Sequence, residues 1–580
     1  MWRTGSATGR GLVVLVCSAL GQANALLADP LETIPRDVAG VIAFRNPQEC
    51  CEALNGVLKK LCIDSEPLDL NDFAVGINLQ AGAWRTTSPL ILILSKPECS
   101  KASLVVSFVP KDPKALLEKA GGKNLVVTRQ MGPEGASYFL MRDGVAYVSQ
   151  KRKALRAVRR LGRHNSLAKS FDSRSQKMFE RSDAFIYLSI DRWREKISPF
   201  VLLATNMMKL GATASSDVKQ AAGTEAVMSW VADGAKAIVN QMESVSVGFD
   251  FDGKTLRLAH LHRFTPGQSV SKYLSSVEKS DLDLLSPLPD KEFLLYASAN
   301  WRTPPGGSLA VAMTRQVLTT EGIAEAIPAE ERKRLVEEME SCYAQIRGNS
   351  FVVAPSPGRG MPLSILGVYA TDDAEKAVES FCFIQENASK ALGCFMLGGG
   401  CGGKFVRKSS SGVKCMELKF DFAGMPEKMI DEFAAYYGKD VRYQNAALDA
   451  KHLGYCLAQP PTSIADLMKP SSSKNNLGQN PGMKAIQALL PKNPNLMFVV
   501  DLGRVIEAVP LMAGLSCPVD EAASLASTTS RAESAKSRPL LGWACDVGPS
   551  WVLGEFAINM DDAADVAYCG RAMAKRLARH

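Results

Sequence analysis

Between Gly144 and Phe171 the chain carries Lys151, Arg152, Lys153, Arg156, Arg159, Arg160, Arg163 and Lys169 and no acidic residue, a local excess equal to the formal net charge of +8 of all 580 residues. On a helix, Arg152, Arg156, Arg159, Arg160 and Arg163 fall on one side, with Leu155, Val158 and Leu161 toward another. Guanidinium groups are flat, forked donors that match phosphate and carboxylate oxygens, and each cation near an anionic membrane is worth roughly 1 kcal/mol. The chemistry of this face is therefore binding, and the expected partners are anionic lipid or an acidic polysaccharide. Nucleic acid is not expected, being less accessible to an exported chain. The competing reading is a charged face that only keeps the helix in water.

Other groupings are weaker. His260 and His262 stand two apart on a strand-like run, so they share a face and could offer two imidazoles to zinc or copper. That face is also the apolar one, which favours a hydrogen-bonded core histidine over a ligand. Gly398 to Lys404 has the G-x-x-x-x-G-K spacing of a phosphate-cradling loop, but Phe405 replaces the magnesium-binding Ser or Thr, and the following residues read as strand. Asp250 and Asp252 lack the third acidic position and the terminal Glu of a calcium loop, so turn chemistry explains them. No nucleophile elbow or H-E-x-x-H occurs. Ser-x-x-Lys pairs (Ser216 and Lys219, Ser269 and Lys272, Ser411 and Lys414) lack companion motifs. No catalytic residue, metal site or cofactor is assigned, and the chain is read as noncatalytic.

The elements that must position these residues recur. An apolar strand, a capping residue and a helix are read at Val38–Phe44 with Asn46-Pro47, Ala184–Ile190 with Asp191, Phe293–Ala299 with Asn300, and Leu496–Val500 with Asp501. A second kind of strand, followed by its own cap, alternates with it: Leu104–Val109 with Asp112, Leu258–Phe264 with Thr265, Leu363–Ala370 with Thr371, Trp551–Ile558 with Asp561. Asp252-Gly253 is read as a type I′ hairpin turn setting Val245, Val247 and Phe249 against His260, Leu258 and Leu256, and Asp143-Gly144 as a second turn. Between the paired strands of each half lie further strands and a helix, over Lys151–Leu161 in one half and Pro426–Tyr437 in the other. Two stretches, Ser463–Met483 and Leu515–Arg538, read as long loops.

At 46% hydrophobic and 22% charged, a chain of this length exceeds a single core of about 250–300 residues. The expected fold is α+β and internally duplicated, with antiparallel or mixed sheets and helices packed on one face. Its halves are 26–285, with a basic insertion near 125–181, and 286–580, with an insertion near 391–482; the seam is Lys279–Pro289. Residues 1–25, with Arg3 and Arg10, an apolar run from Gly11 to Leu20 and Ala23-Asn24-Ala25, read as a cleaved secretory signal, with a retained anchor as the alternative. Export to the periplasm or beyond would permit disulfides. Yet the 14 cysteines include no C-x-x-C; Cys394 with Cys401 is a plausible pair, and buried thiols acting as small apolar groups are the plainer reading.

The phrases Phe108-Val109-Pro110-Lys111-Asp112-Pro113 and Phe139-Leu140-Met141-Arg142-Asp143-Gly144-Val145-Ala146-Tyr147-Val148-Ser149 resemble those of large exported bacterial proteins built from repeated α+β units. That resemblance implies export and a noncatalytic fold, and supplies no functional residues. Together these readings give an exported binding or structural protein of the cell envelope or extracellular space. A carrier of an apolar ligand held between duplicated halves and a hydrolase with a long-range site are the alternatives.

Overall fold

Several of the strand-like runs are apolar at both parities, as in Leu90–Leu94 and Leu104–Phe108, and such a strand belongs in a sheet with cover on both faces. The structure, a computed structural model, describes residues 30–60, 67–70, 84–97, 104–119, 128–132, 135–159, 165–212, 218–302, 309–319, 327–355, 363–396, 402–410, 412–421, 440–467, 476–505 and 540–564 except 562, with single positions between 427 and 434. They fall into two units. The first gathers the described residues of Met1–Gly56, Ser65–Trp193 and Ser244–Phe251, the second those of Val57–Asp64, Arg194–Glu243 and Asp252–His580. All strand pairings described below are antiparallel.

In the first unit β1 (Gly40–Phe44), β2 (Leu90–Leu94), β3 (Leu104–Phe108), β4 (Thr128–Gly132), β5 (Gly135–Arg142), β6 (Val145–Ser149), β7 (Ala184–Ser189) and β8 (Met242–Phe251) lie in the order β4-β5-β6-β3-β2-β1-β7-β8. One face buries Trp84, Leu90, Leu92, Val106, Phe108, Phe139, Met141 and Ala146 together. Helices α1 (Pro47–Lys60), α2 (Pro113–Lys119), α3 (Arg152–Arg159), α4 (Ser173–Arg181) and α5 (Ile190–Ala212) connect strands; α1 and α5 each cross from one unit into the other. Asn46 and Asp112 cap α1 and α2 through backbone N–H groups of Glu49 and Ala115. Asp191 lies inside the first turn of α5, not before it.

The second unit holds α6 (Val218–Gln241), β9 (Thr255–Phe264), α7 (Ser269–Ser276), a ribbon of β10 (Glu278–Lys279) and β12 (Trp301–Arg302), β11 (Leu295–Ala299), α8 (Leu309–Leu318), α9 (Ala329–Gln345), β13 (Ile346–Pro355), β14 (Leu363–Thr371), α10 (Ala374–Met396), β15 (Gly402–Ser410), β16 (Val413–Asp421), β17 (Arg442–Ala447), β18 (His452–Ala458), α11 (Pro481–Leu489), β19 (Leu496–Asp501), β20 (Leu540–Gly548) and β21 (Trp551–Asn559). Its strands run β15-β16-β17-β18-β14-β13-β11-β19-β20-β21-β9. β9 pairs with β21 from Thr255 to Arg263, which draws it into this unit, whereas a boundary at 285 would leave it in the first half.

Helices on a single face, as expected from sequence, do not describe this unit. Val352, Leu366 and Val368 pack with α11 and the 3-10 turns Ile464–Leu467 and Leu477–Gln479. Their strand neighbours Phe351, Ile365 and Tyr369 point the other way, onto the core of α8, α9 and α10. Strands apolar at both parities need cover on both sides. Asn300, read as a helix cap, leads into β12 instead; it is buried, and its amide donates to Asn493 at 2.5 Å. The helix read over Pro426–Tyr437 and the loop Leu515–Arg538 lie largely or wholly outside the described residues.

Candidate functional site

The basic helix is α3, and it is tied down at both ends. Before it, Ser149, buried at the end of β6, donates to Leu104 O at 2.8 Å and accepts from Lys151 N at 3.3 Å. Within it, Ala154, Leu155 and Val158 are buried, Leu155 completely, and the helix packs on β3, β5 and β6. At its end Arg142 Nη1 donates to Val158 O at 3.0 Å, satisfying a carbonyl the helix leaves open. The tight β5–β6 hairpin makes this possible: Asp143 and Gly144 both adopt positive φ, 48° and 80°, the type I′ geometry, and return the chain one turn from α3.

Outward from this anchored stem point Lys151, Arg152, Lys153, Arg156 and Arg159, all exposed. Among the described residues no carboxylate forms an ion pair with any of them; the nearest such pair in the hairpin is Arg142 with Asp143 at 3.3 Å. Arg160 and Arg163, expected on the same face, lie outside the described residues. The positioning residues Ser149 and Arg142 were missed in the sequence, although Asp143-Gly144 signalled the hairpin that presents one of them.

The two histidines do share a face of β9, opposite Gly554 and Val552 of β21. They bond to one another, His260 Nδ1 to His262 Nε2 at 3.0 Å, and Trp543 Nε1 donates to His260 Nε2 at 3.3 Å. A Cβ at position 554 would stand 2.2 Å from His260 Nε2, so only glycine leaves the ring its place. Burial lowers the pKa of both, and that of His262 falls to about 4 with His260 beside it. Among the described residues no three His, Cys, Asp or Glu side chains gather as a metal site.

The glycine-rich segment enters β15: Gly402 to Lys404 are strand residues, and Phe405 N donates to Glu386 Oε1 at 2.7 Å. Gly398 to Cys401, and with them the Cys394–Cys401 pairing, lie outside the described residues. Asp252 accepts from Lys254 N and Thr255 N at 2.9 and 2.6 Å. Partial burial raises its pKa, but these backbone donors outweigh that and hold it below the usual value. Cys50, Cys342, Cys382, Cys415, Cys456 and Cys545 are buried free thiols; burial pushes Cys342, Cys382 and Cys456 up to about 12, far from the reactive thiolate. The largest exposed apolar side chains include Phe200, Leu202, Leu203 and Met207 of α5. No described helix is long and apolar enough to cross a membrane.

No protein family matches the chain, and no curated protein does. Among solved structures it is similar to crystal form III of TP0453, at 6% identity and a TM-score of 0.21, over 49% of this chain and 98% of that one. A likeness of that degree carries nothing about fold or function.

Proposed function

We propose that the chain is an exported, noncatalytic α+β protein of the cell envelope or extracellular space, built by internal duplication, and that α3 is its anion-binding surface for acidic lipid or polysaccharide. The observation that carries the binding role is the row of exposed cations on a helix whose other side is fully committed to the core.

Duplication is supported strand by strand and bond by bond. β6-β3-β2-β1-β7-β8 of the first unit corresponds to β18-β14-β13-β11-β19-β20 of the second. Ala39 N bonds Leu94 O as Leu294 N bonds Val353 O, both at 2.7 Å. Arg45 N to Asp183 O matches Asn300 N to Asn495 O, and Leu167 N to Ile34 O matches Leu477 N to Leu288 O. Isolated bridges join Pro35 to Ser166 and Pro289 to Asn476. The copies differ after β6 and β18. Where the first unit has α3, the second has the buried turn Ile464–Leu467, whose Asp466 pairs with Lys291 at 3.0 Å. The scaffold is thus satisfied without a cationic helix, which frees the cations of α3 for a partner.

Co-flotation of the full chain with phosphatidylglycerol vesicles, and retention on heparin as an acidic polysaccharide, test the reading. The wild type is expected to bind both and to be released by salt, but to ignore phosphatidylcholine. Charge reversal of Arg152, Arg156, Arg159 and Arg163 to Glu should abolish both interactions; unchanged binding would sink the proposal.

A further inference from the structure

The neutral tautomers of the histidine pair are fixed by a donor outside it. Trp543 Nε1 carries a hydrogen and only donates, so His260 Nε2 is bare. Neutral His260 then holds its hydrogen on Nδ1 and donates to His262 Nε2. His262 keeps its own on Nδ1, a buried atom with no hydrogen-bond partner among the described residues. A third proton can enter only at one of the two accepting nitrogens. Either way an N–H is turned toward another N–H, and one of the two hydrogen bonds is lost.

We propose that Trp543, His260 and His262 form an acid-sensitive latch across β20, β21 and β9, closed while both imidazoles are neutral and opened by one proton. The latch sits in a row of rings, Phe498, Trp543, Phe556 and His260, whose successive centroids are 5.4, 6.0 and 5.9 Å apart. Phe556 is already 38% exposed, so release of Trp543 loosens a face that meets solvent. On that face β20 adds Cys545, whose thiol burial pushes up to about 11 and which stays silent in acid. Strand alternation places Asp546, Glu555, Arg257 and Arg263 on the opposite face, and α7, packed on β20, carries Lys272 and Tyr273. Among the described residues no carboxylate therefore favours the imidazolium on that face, and the low pKa of His262 runs in the direction the geometry requires.

With five histidines in the chain, 15N,13C-histidine labelling and NMR read each ring directly. In the wild type, His260, identified with His260→Gln, is expected as the Nδ1–H tautomer, with a titration midpoint below its ordinary value of about 6.5. Trp543→Phe keeps a ring and removes the donor, and should raise that midpoint by about one unit and admit the Nε2–H tautomer. An unmoved midpoint in this variant overturns the latch. Should the variant fail to fold, the wild-type spectrum decides: an Nε2–H tautomer at His260, or titration near pH 6.5, overturns it equally.

Discussion

His262 is a histidine whose environment penalises charge, and that has a consequence for stability whatever the latch does. Its pKa in the folded chain, about 4, lies below the ordinary value, so the unfolded chain binds the proton more readily. The stabilisation is fully present above about pH 6.5 and is lost as pH falls through that value toward 4. Asp252, Asp372, Glu417 and Asp449, held below their usual values, keep their contributions until more acid conditions. The thermal midpoint is therefore expected to fall between pH 6.5 and 4.5, less steeply in His262→Gln; differential scanning calorimetry across that range checks it, and parallel curves for the two proteins would count against it. At this scale the sequence was half legible. The shared face of His260 and His262 follows from their spacing, but Trp543 lies 283 residues from His260 and no local pattern announces it.

For the elements, α3 shows how little of a short helix's stability is its own. At eight residues it is below the length at which isolated helices persist, so its burial decides. Leu155→Ala leaves a cavity between α3 and the β3–β5–β6 sheet and should cost about 2–5 kcal/mol, measured as a lower urea midpoint for the unit; the same variant should also weaken vesicle binding, because the cations lose their platform. Strand positions are legible because a short apolar run bounded by turn and capping residues is a strong local signal: all eight strand runs of the repeat pattern are strands. Caps were read less well. Asn46, Asp112 and Asp501 do cap, but Asn300 serves a buried amide contact whose partner Asn493 lies 193 residues away. The hairpin read at Asp252-Gly253 also misled: β8 pairs with β7 and β9 with β21, so Val245, Val247 and Phe249 do not face His260, Leu258 and Leu256; Asp252 binds the backbone through its carboxylate without positive φ, while Asp143-Gly144 supplies the I′ geometry.

Across the whole molecule, the matched pairing orders make equivalent positions in the two units comparable experimentally. Asp172 caps α4 through Ser175 N at 2.8 Å, and Asn480 caps α11 through Met483 N at 3.1 Å, each just ahead of the matching strands β7 and β19. Asp172→Ala and Asn480→Ala should each cost about 1 kcal/mol and affect only the unit that holds them, which unit-resolved hydrogen exchange checks. The recurrence of strand and helix was visible in the sequence, because it is local. Which elements cover each sheet face, and the different fates of the segments after β6 and β18, depend on long-range packing and were not. That difference isolates the exposed cations of α3, which make no ion pair among the described residues, as the feature whose role lies outside the scaffold. The most direct test measures the affinity of the full chain for phosphatidylglycerol vesicles at graded salt, beside the variant with Arg152, Arg156, Arg159 and Arg163 changed to Glu. The account predicts wild-type affinity that falls steeply with salt and a loss of roughly a thousandfold or more at low salt in the variant; equal affinities with equal salt dependence would contradict it.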